Sequence, residues 1–333
     1  MSSNEPVLEV SGLKTHFDTH DGVVHAVNGV DFNLRAGEFL GVVGESGSGK
    51  SVTMMSILKL IPMPPGRIVA GTAMFEGHDL LKLDAKQLRH VRGGQIGFMF
   101  QDPMTSLNPV LPVGHQITEP ILEHTDSSSK AAVAAATDLL DMVGIPDAAQ
   151  RMKAYPHELS GGMRQRVMIA IALSCSPKVI IADEPTTALD VTIQAQIIEI
   201  IKDLREELGT AVIWITHDLG VVAGLADRVM VMYGGKIVEK AEVRDLYATP
   251  EHPYTQGLLQ SLPRLDQKGQ ELVSIKGQPP SLFAEPADCS FAPRCPYTYD
   301  RCLTDLPALD QIGHEHMVSC WTDTNTGEPR YDH

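Results

Sequence analysis

The run FLGVVGESGSGKSVTMM, residues 39–55, leaves a chain little choice of local structure. The apolar stretch FLGVV predicts a buried strand, and SVTMMSILKLI (51–61) predicts a helix, so Gly44, Gly47 and Gly49 must turn the chain between them. GESGSGKS fits G-x-x-x-x-G-K-[ST], a loop whose backbone N–H groups surround phosphate oxygens while lysine reaches the terminal phosphates and the hydroxyl binds magnesium. The N-terminus of the helix that follows favours an anion as well. Gly44, Glu45, Ser46, Gly47, Ser48, Gly49, Lys50 and Ser51 are therefore candidate nucleotide contacts, with Ser51 on the metal.

The rest of the chain, to about residue 245, alternates β-rich runs with helical patterns, as an α/β domain built around a sheet requires. LEVSGL and VHAVNGVDFNL read as strands. VIIA (179–182) and AVIWIT (211–216) are continuous apolar runs, as expected of strands covered on both faces. VIIADE ends in acid, which places Asp183 at the carboxyl edge of a sheet, where ligands bind in such folds, as the candidate magnesium anchor. Glu184, the next residue, is positioned to polarise an attacking water. Between residues 103 and 170 lies a helical insertion, in which SKAAVAAATDLLDMVGI (129–145) sets Val133, Ala136, Leu140 and Val143 at helical spacing behind capping serines.

Composition excludes several classes. Of 333 residues, 43% are hydrophobic and 21% charged, which suits a globular chain with a large core. The net charge of -15, with no basic patch, argues against nucleic acid as the main partner. MSSNEPVLEV has neither the basic start nor the apolar run of a secretory signal, so a cytosolic chain is expected. VMIAIAL and AVIWI fall far short of the roughly 20 residues a membrane span needs, so attachment to a membrane is expected through a partner.

LSGGM (159–163), followed by RQRVMIAIAL, completes a pattern that resembles the ATP-binding subunits of ABC transporters over nearly the whole chain. The family sequence is usually LSGGQ, and Met163 departs from it. The resemblance implies an α/β, P-loop ABC-type nucleotide-binding domain over 1–245, with its helical subdomain at about 103–170. It implies that Ser160, Gly161 and Gly162 meet the γ-phosphate of ATP held by a second subunit. Gln101, in FQDPMTSLNP, matches a residue that senses magnesium and links to the membrane subunits. Asp190, in ALD, falls in a dimer-contact loop, and His217, ending AVIWITH, matches a γ-phosphate contact. Phe17 lies where the family has an aromatic that stacks on adenine. The activity implied is ATP hydrolysis in a cycle of closing and opening, passed to two transmembrane partners.

Beyond residue 245 proline becomes frequent and helical periodicity poor, which predicts a small loop-rich C-terminal extension, 246–333. HPYTQGLLQSLP (252–263) and CSFAPRCPYTYDRC (289–302) look like the tail of the oligopeptide and dipeptide permease branch. That likeness implies peptide import at the cytoplasmic face of the membrane, a heterodimer with another ATP-binding subunit, and an extracytoplasmic peptide-binding protein. Nickel chelates are an alternative cargo, and a soluble ABC protein acting on nucleic acid or ribosomes is the alternative class.

Cys289, Cys295, Cys302 and Cys320 are separated by 5, 6 and 17 residues. Disulfides are disfavoured in a reducing cytosol, zinc is an alternative although C-x2-C knuckles are missing, and free thiols are a third reading. The permease likeness implies a [4Fe-4S] cluster there. Cys175 reads as a small apolar residue within a helix.

Overall fold

The computed structural model describes residues 5–186, 191–262 and 274–331, the Leu204 side chain excepted. Its strands are β1 (Pro6–Thr19), β2 (Gly22–Arg35), β3 (Phe39–Val43), β4 (Gly66–Phe75), β5 (His78–Asp79), β6 (Ile96–Met99), β7 (Val179–Asp183), β8 (Ala211–Thr216), β9 (Arg228–Tyr233), β10 (Lys236–Glu242), β11 (Asp310–Gly313) and β12 (His316–Val318). The chain divides into two compact units, one formed by Met1–Val7, Leu34–Glu38 and Lys82–Ile215, the other by Leu8–Asn33, Phe39–Leu81 and Thr216–His333.

In the first unit β6, β7 and β8 pair in parallel, with Ile96 opposite Val179 and Asp183 opposite Ile215. Every residue of β7 and β8 is buried, which is why both read as unbroken apolar runs. Five helices fill the interval between β6 and β7: Pro103–Ser106, Val113–His124, Ser129–Met142, Ala148–Arg151 and Gly161–Leu173. Ser128 caps the third, its Oγ accepting from the Ala131 N–H at 3.3 Å. The buried stripe of that helix runs through Ala132, Ala136 and Leu140, with Val143 just beyond, while Val133 is 49% exposed. The expected face is thus corrected by one residue, because steps of four keep Ala132, Ala136 and Leu140 in line.

In the second unit β2-β1-β4-β5 form one sheet, in which β1 and β4 run antiparallel from Leu8↔Phe75 to Phe17↔Gly66. β3 lies parallel to β9, Leu40 opposite Arg228, and β9 continues antiparallel through β10 and β12 to β11. Residues past 245 therefore do more than loop: helix Pro253–Gln260 and strands β11 and β12 come from them. A buried carboxylate ties these pieces together. Glu239, fully buried on β10, accepts from the Glu251 N–H at 2.7 Å and the His252 N–H at 3.0 Å, and His316 Nε2 of β12 lies 2.8 Å from it. Such a charge is tolerated only because donors surround it. Among the described residues no helix is long and apolar enough to cross a membrane.

Candidate nucleotide site

The glycine turn after β3 has the shape its sequence demands. Gly44 (φ +154°) and Gly49 (φ +99°) sit where L side chains rarely go. A Cβ on Gly44 would overlap the Met232 carbonyl, and one on Gly49 would stand 2.6 Å from the Ala26 carbonyl. The loop closes on itself through Ser48 N–H to Glu45 O at 3.2 Å, and helix Lys50–Ile57 starts directly from it. Lys50, 4% exposed, folds back over the loop and donates to the carbonyls of Gly44 at 2.8 Å and Glu45 at 3.0 Å. Ser48 Oγ is buried with no hydrogen-bond partner among the described residues. A buried cation, a hydroxyl in want of a partner and backbone room only glycine leaves form a cradle fit for phosphate oxygens.

Glu45 is held from outside the loop. Its N–H donates to Tyr254 Oη at 2.7 Å, and its carboxylate receives both Arg294 Nη atoms at 2.6 and 2.9 Å. Burial pushes the Tyr254 hydroxyl above its ordinary value, so it stays protonated. Sequence reasoning placed neither Tyr254 nor Arg294 at this loop.

In the first unit, Asp183 closes β7, 5% exposed, and Glu184 follows it half-buried. Glu184 has φ +45°, a left-handed conformation that costs a non-glycine residue about 1 kcal/mol or more. Its N–H is fixed to the Ile215 carbonyl at 3.0 Å, and its Oε2 accepts from Gln101 Nε2 at 3.2 Å. The structure thus brings together two residues that the sequence separates by 83 positions. Elsewhere in this unit Ser160 caps helix Gly161–Leu173, its Oγ accepting from the Met163 N–H at 3.3 Å. A Cβ on Gly162 would press Ile193 at 3.1 Å. The turn therefore presents the first amides of a helix, an anion-attracting arrangement.

His217 follows β8 and is exposed, just before Asp218 caps helix Leu219–Ala223 through the Gly220 N–H at 2.8 Å. Phe17, half-buried near the end of β1, faces Gly66, where an added Cβ would touch its Cε1 at 3.0 Å. Asp190 lies outside the described residues. Cys175 stands past the end of helix Gly161–Leu173, not within it, and donates to the Pro120 carbonyl at 3.4 Å.

The four cysteines of the extension form no disulfide. Cys302 is buried, and the Cys289 N–H bonds the Cys302 carbonyl at 3.1 Å. Burial pushes the Cys289 thiol up to about 11 and the Cys320 thiol up to about 12, and raises Cys295.

A family profile described as "ABC transporter" matches residues 27–187, and one described as "Oligopeptide/dipeptide transporter, C-terminal region" matches 238–302. The chain is 52% identical over 316 residues to the oligopeptide transport ATP-binding protein OppD of Bacillus subtilis, covering 95% of this chain and 88% of that protein. It is 50% identical over 324 residues to the dipeptide transport ATP-binding protein DppD of the same organism, covering 97% of each. Among solved structures, a dimeric bacterial ABC transporter cassette, MJ0796, superposes with a TM-score of 0.64 at 29% identity, over 71% of this chain and 99% of that one. The same cassette, in a post-hydrolysis state bound to ADP and Pi, gives 0.64 at 28% identity.

These findings correct the iron–sulfur expectation. Among the described residues no group of three or more His, Cys, Asp or Glu side chains is arranged to hold a metal ion. The relatives are named as transport ATP-binding proteins, with no cluster in the name. Cys289, Cys295, Cys302 and Cys320 count to four in the sequence, but number and spacing do not say whether the side chains are arranged as a ligand set. The same observation gives zinc no site there.

Proposed function

The chain belongs to the ABC transporter family of ATP-binding proteins, and from that membership we propose that it is the ATP-hydrolysing subunit of an importer for oligopeptides or dipeptides. The observation that carries the reading is the glycine cradle closed over buried Lys50, in a chain whose likeness to peptide-transport proteins continues through its extension. A cassette over 1–245 does the chemistry, and the extension 246–333 marks the peptide branch.

The cradle amides and Lys50 hold the phosphates of ATP. Magnesium, when bound, supplies positive charge to the phosphate oxygens, and the hard oxygen donors of Ser51, Asp183 and Gln101 suit it. Glu184 accepts a proton from water as the water oxygen attacks the γ-phosphorus and the bond to the bridging oxygen of ADP breaks. Gln101, hydrogen-bonded to Glu184, orients that carboxylate. His217 contacts the γ-phosphate and Phe17 stacks on adenine. Ser160, Gly161 and Gly162 serve ATP held by a second ATP-binding subunit, with Asp190 at the dimer contact.

Two transmembrane permease subunits receive the motion at the cytoplasmic face of the membrane, and an extracytoplasmic peptide-binding protein delivers the cargo. A tagged chain drawn from detergent-solubilised membranes is expected to bring down two polytopic permease subunits and a second ATP-binding subunit. Recovery of ribosomes or nucleic acid in their place would contradict the assignment.

A further inference from the structure

The second position of the phosphate loop is a glutamate, a poor choice beside a ligand carrying several negative charges. Its carboxylate is 29% exposed at the side chain, yet it is not left as a bare charge. Arg294 meets it in a two-pronged ion pair while its own side chain is only 3% exposed. The remaining donors of that guanidinium are spent as well: Nε on the Lys276 carbonyl at 3.0 Å, Nη2 also on the Ile275 carbonyl at 3.2 Å, and Nη1 also on Tyr233 Oη at 3.3 Å. A fork held this way cannot swing to solvent without abandoning several partners, which makes it a fixed charge and not a mobile one.

The scaffold behind it is aromatic. Tyr233, Tyr254 and Phe291 pack with ring centroids 4.6 to 5.4 Å apart, and Arg294 lies 5.7 and 5.8 Å from the ring centroids of Tyr233 and Phe291. Tyr254 adds a second hold, through the Glu45 N–H. The turn Ala292–Arg294 is bracketed in sequence by Cys289 and Cys295, so the extension that marks this branch delivers a cation to the phosphate loop.

We propose that Arg294 is a positioning residue of the nucleotide site: it neutralises Glu45 and fixes the loop so that the ATP triphosphate enters a cradle without an opposing charge. The inference rests on the phosphate-loop reading above. Without Arg294, the Glu45 carboxylate repels the triphosphate, and salt relieves that repulsion by shortening the range over which the charges interact.

The test is equilibrium dialysis of Mg·ATP against the full-length chain and its variants, at low salt and at about 1 M salt, where the screening length falls to about 3 Å. Arg294→Met is expected to weaken binding by about fivefold or more at low salt, and the deficit to shrink at high salt. Glu45→Gln/Arg294→Met is expected to regain most of that loss, because the repelling charge has gone. A purely structural role would give a deficit that neither salt nor the second substitution repairs, and that result overturns the proposal. Arg294→Gln, which keeps a polar group beside the Ile275 and Lys276 carbonyls but no charge, carries the test if the Met variant does not fold. Binding by a folded Arg294 variant within about twofold of the parent at low salt overturns the proposal equally. A parent chain that retains no Mg·ATP would instead contradict the phosphate-loop reading itself.

Discussion

An assembled transporter carrying Glu184→Gln is expected to bind Mg·ATP with near-parental affinity and to hydrolyse it at least about 100-fold more slowly, the range a positioned general base supplies. Glu184 is kept in a left-handed conformation at φ +45°, anchored by its N–H on the Ile215 carbonyl, directly after the buried end of β7. Strain of this kind persists only where the surrounding structure fixes it, and it aims the side chain independently of its charge. Gln101 Nε2 then fixes one oxygen of the carboxylate proposed as the base, at 3.2 Å. Glutamine keeps the volume and the tether but not the basicity, so binding and turnover separate. Steady-state hydrolysis beside nucleotide binding in the same preparation checks this; parental turnover would remove Glu184 from the role.

Lys50→Ala is expected to raise the ATP dissociation constant by about 10- to 100-fold, as loss of charge-assisted hydrogen bonds worth about 1.5–3 kcal/mol predicts. Lys50 is almost wholly buried, and its ammonium is held by the Gly44 and Glu45 carbonyls at the mouth of the cradle. A phosphate tail brought there meets a cation already desolvated and in place, so little reorganisation is needed on binding. Equilibrium dialysis with a thermal melt of the same sample separates lost affinity from lost fold. A folded Lys50→Ala chain with parental affinity would dissociate the lysine from phosphate binding.

What local pattern could reveal was the chemistry confined to one turn or one strand. FLGVV and VIIAD are apolar because they are buried parallel strands, and the glycines of GESGSGKS are required by positive φ at Gly44, Gly47 and Gly49. The capping serine of LSGGM was legible for the same reason: a cap is a contact between near neighbours. Contacts across long separations left no such trace. Arg294 reaches Glu45 over 249 positions from a proline-rich stretch with no periodicity, and nothing beside either residue announces the pair. Strands β11 and β12 are four and three residues long, with too few alternations to read. Glu239 looks like an ordinary surface acid until the chain past residue 245 folds over it and buries it completely. The helix Ser129–Met142 was legible as a helix, but its alanine-rich composition blurred which stripe faces inward, hence Ala132 in place of Val133. The cysteines show the opposite failure, since a likeness carried by four residues in one segment implied ligation that their arrangement does not support among the described residues.

The central claim is that this chain converts ATP hydrolysis into peptide movement. The measurement that bears on it most directly is uptake of a labelled oligopeptide into proteoliposomes holding the complete transporter, with Mg·ATP sealed in the lumen beside this chain and the peptide-binding protein outside. The account predicts accumulation with the parental chain and none with Glu184→Gln or with ADP in place of ATP. Equal accumulation in all three would contradict it.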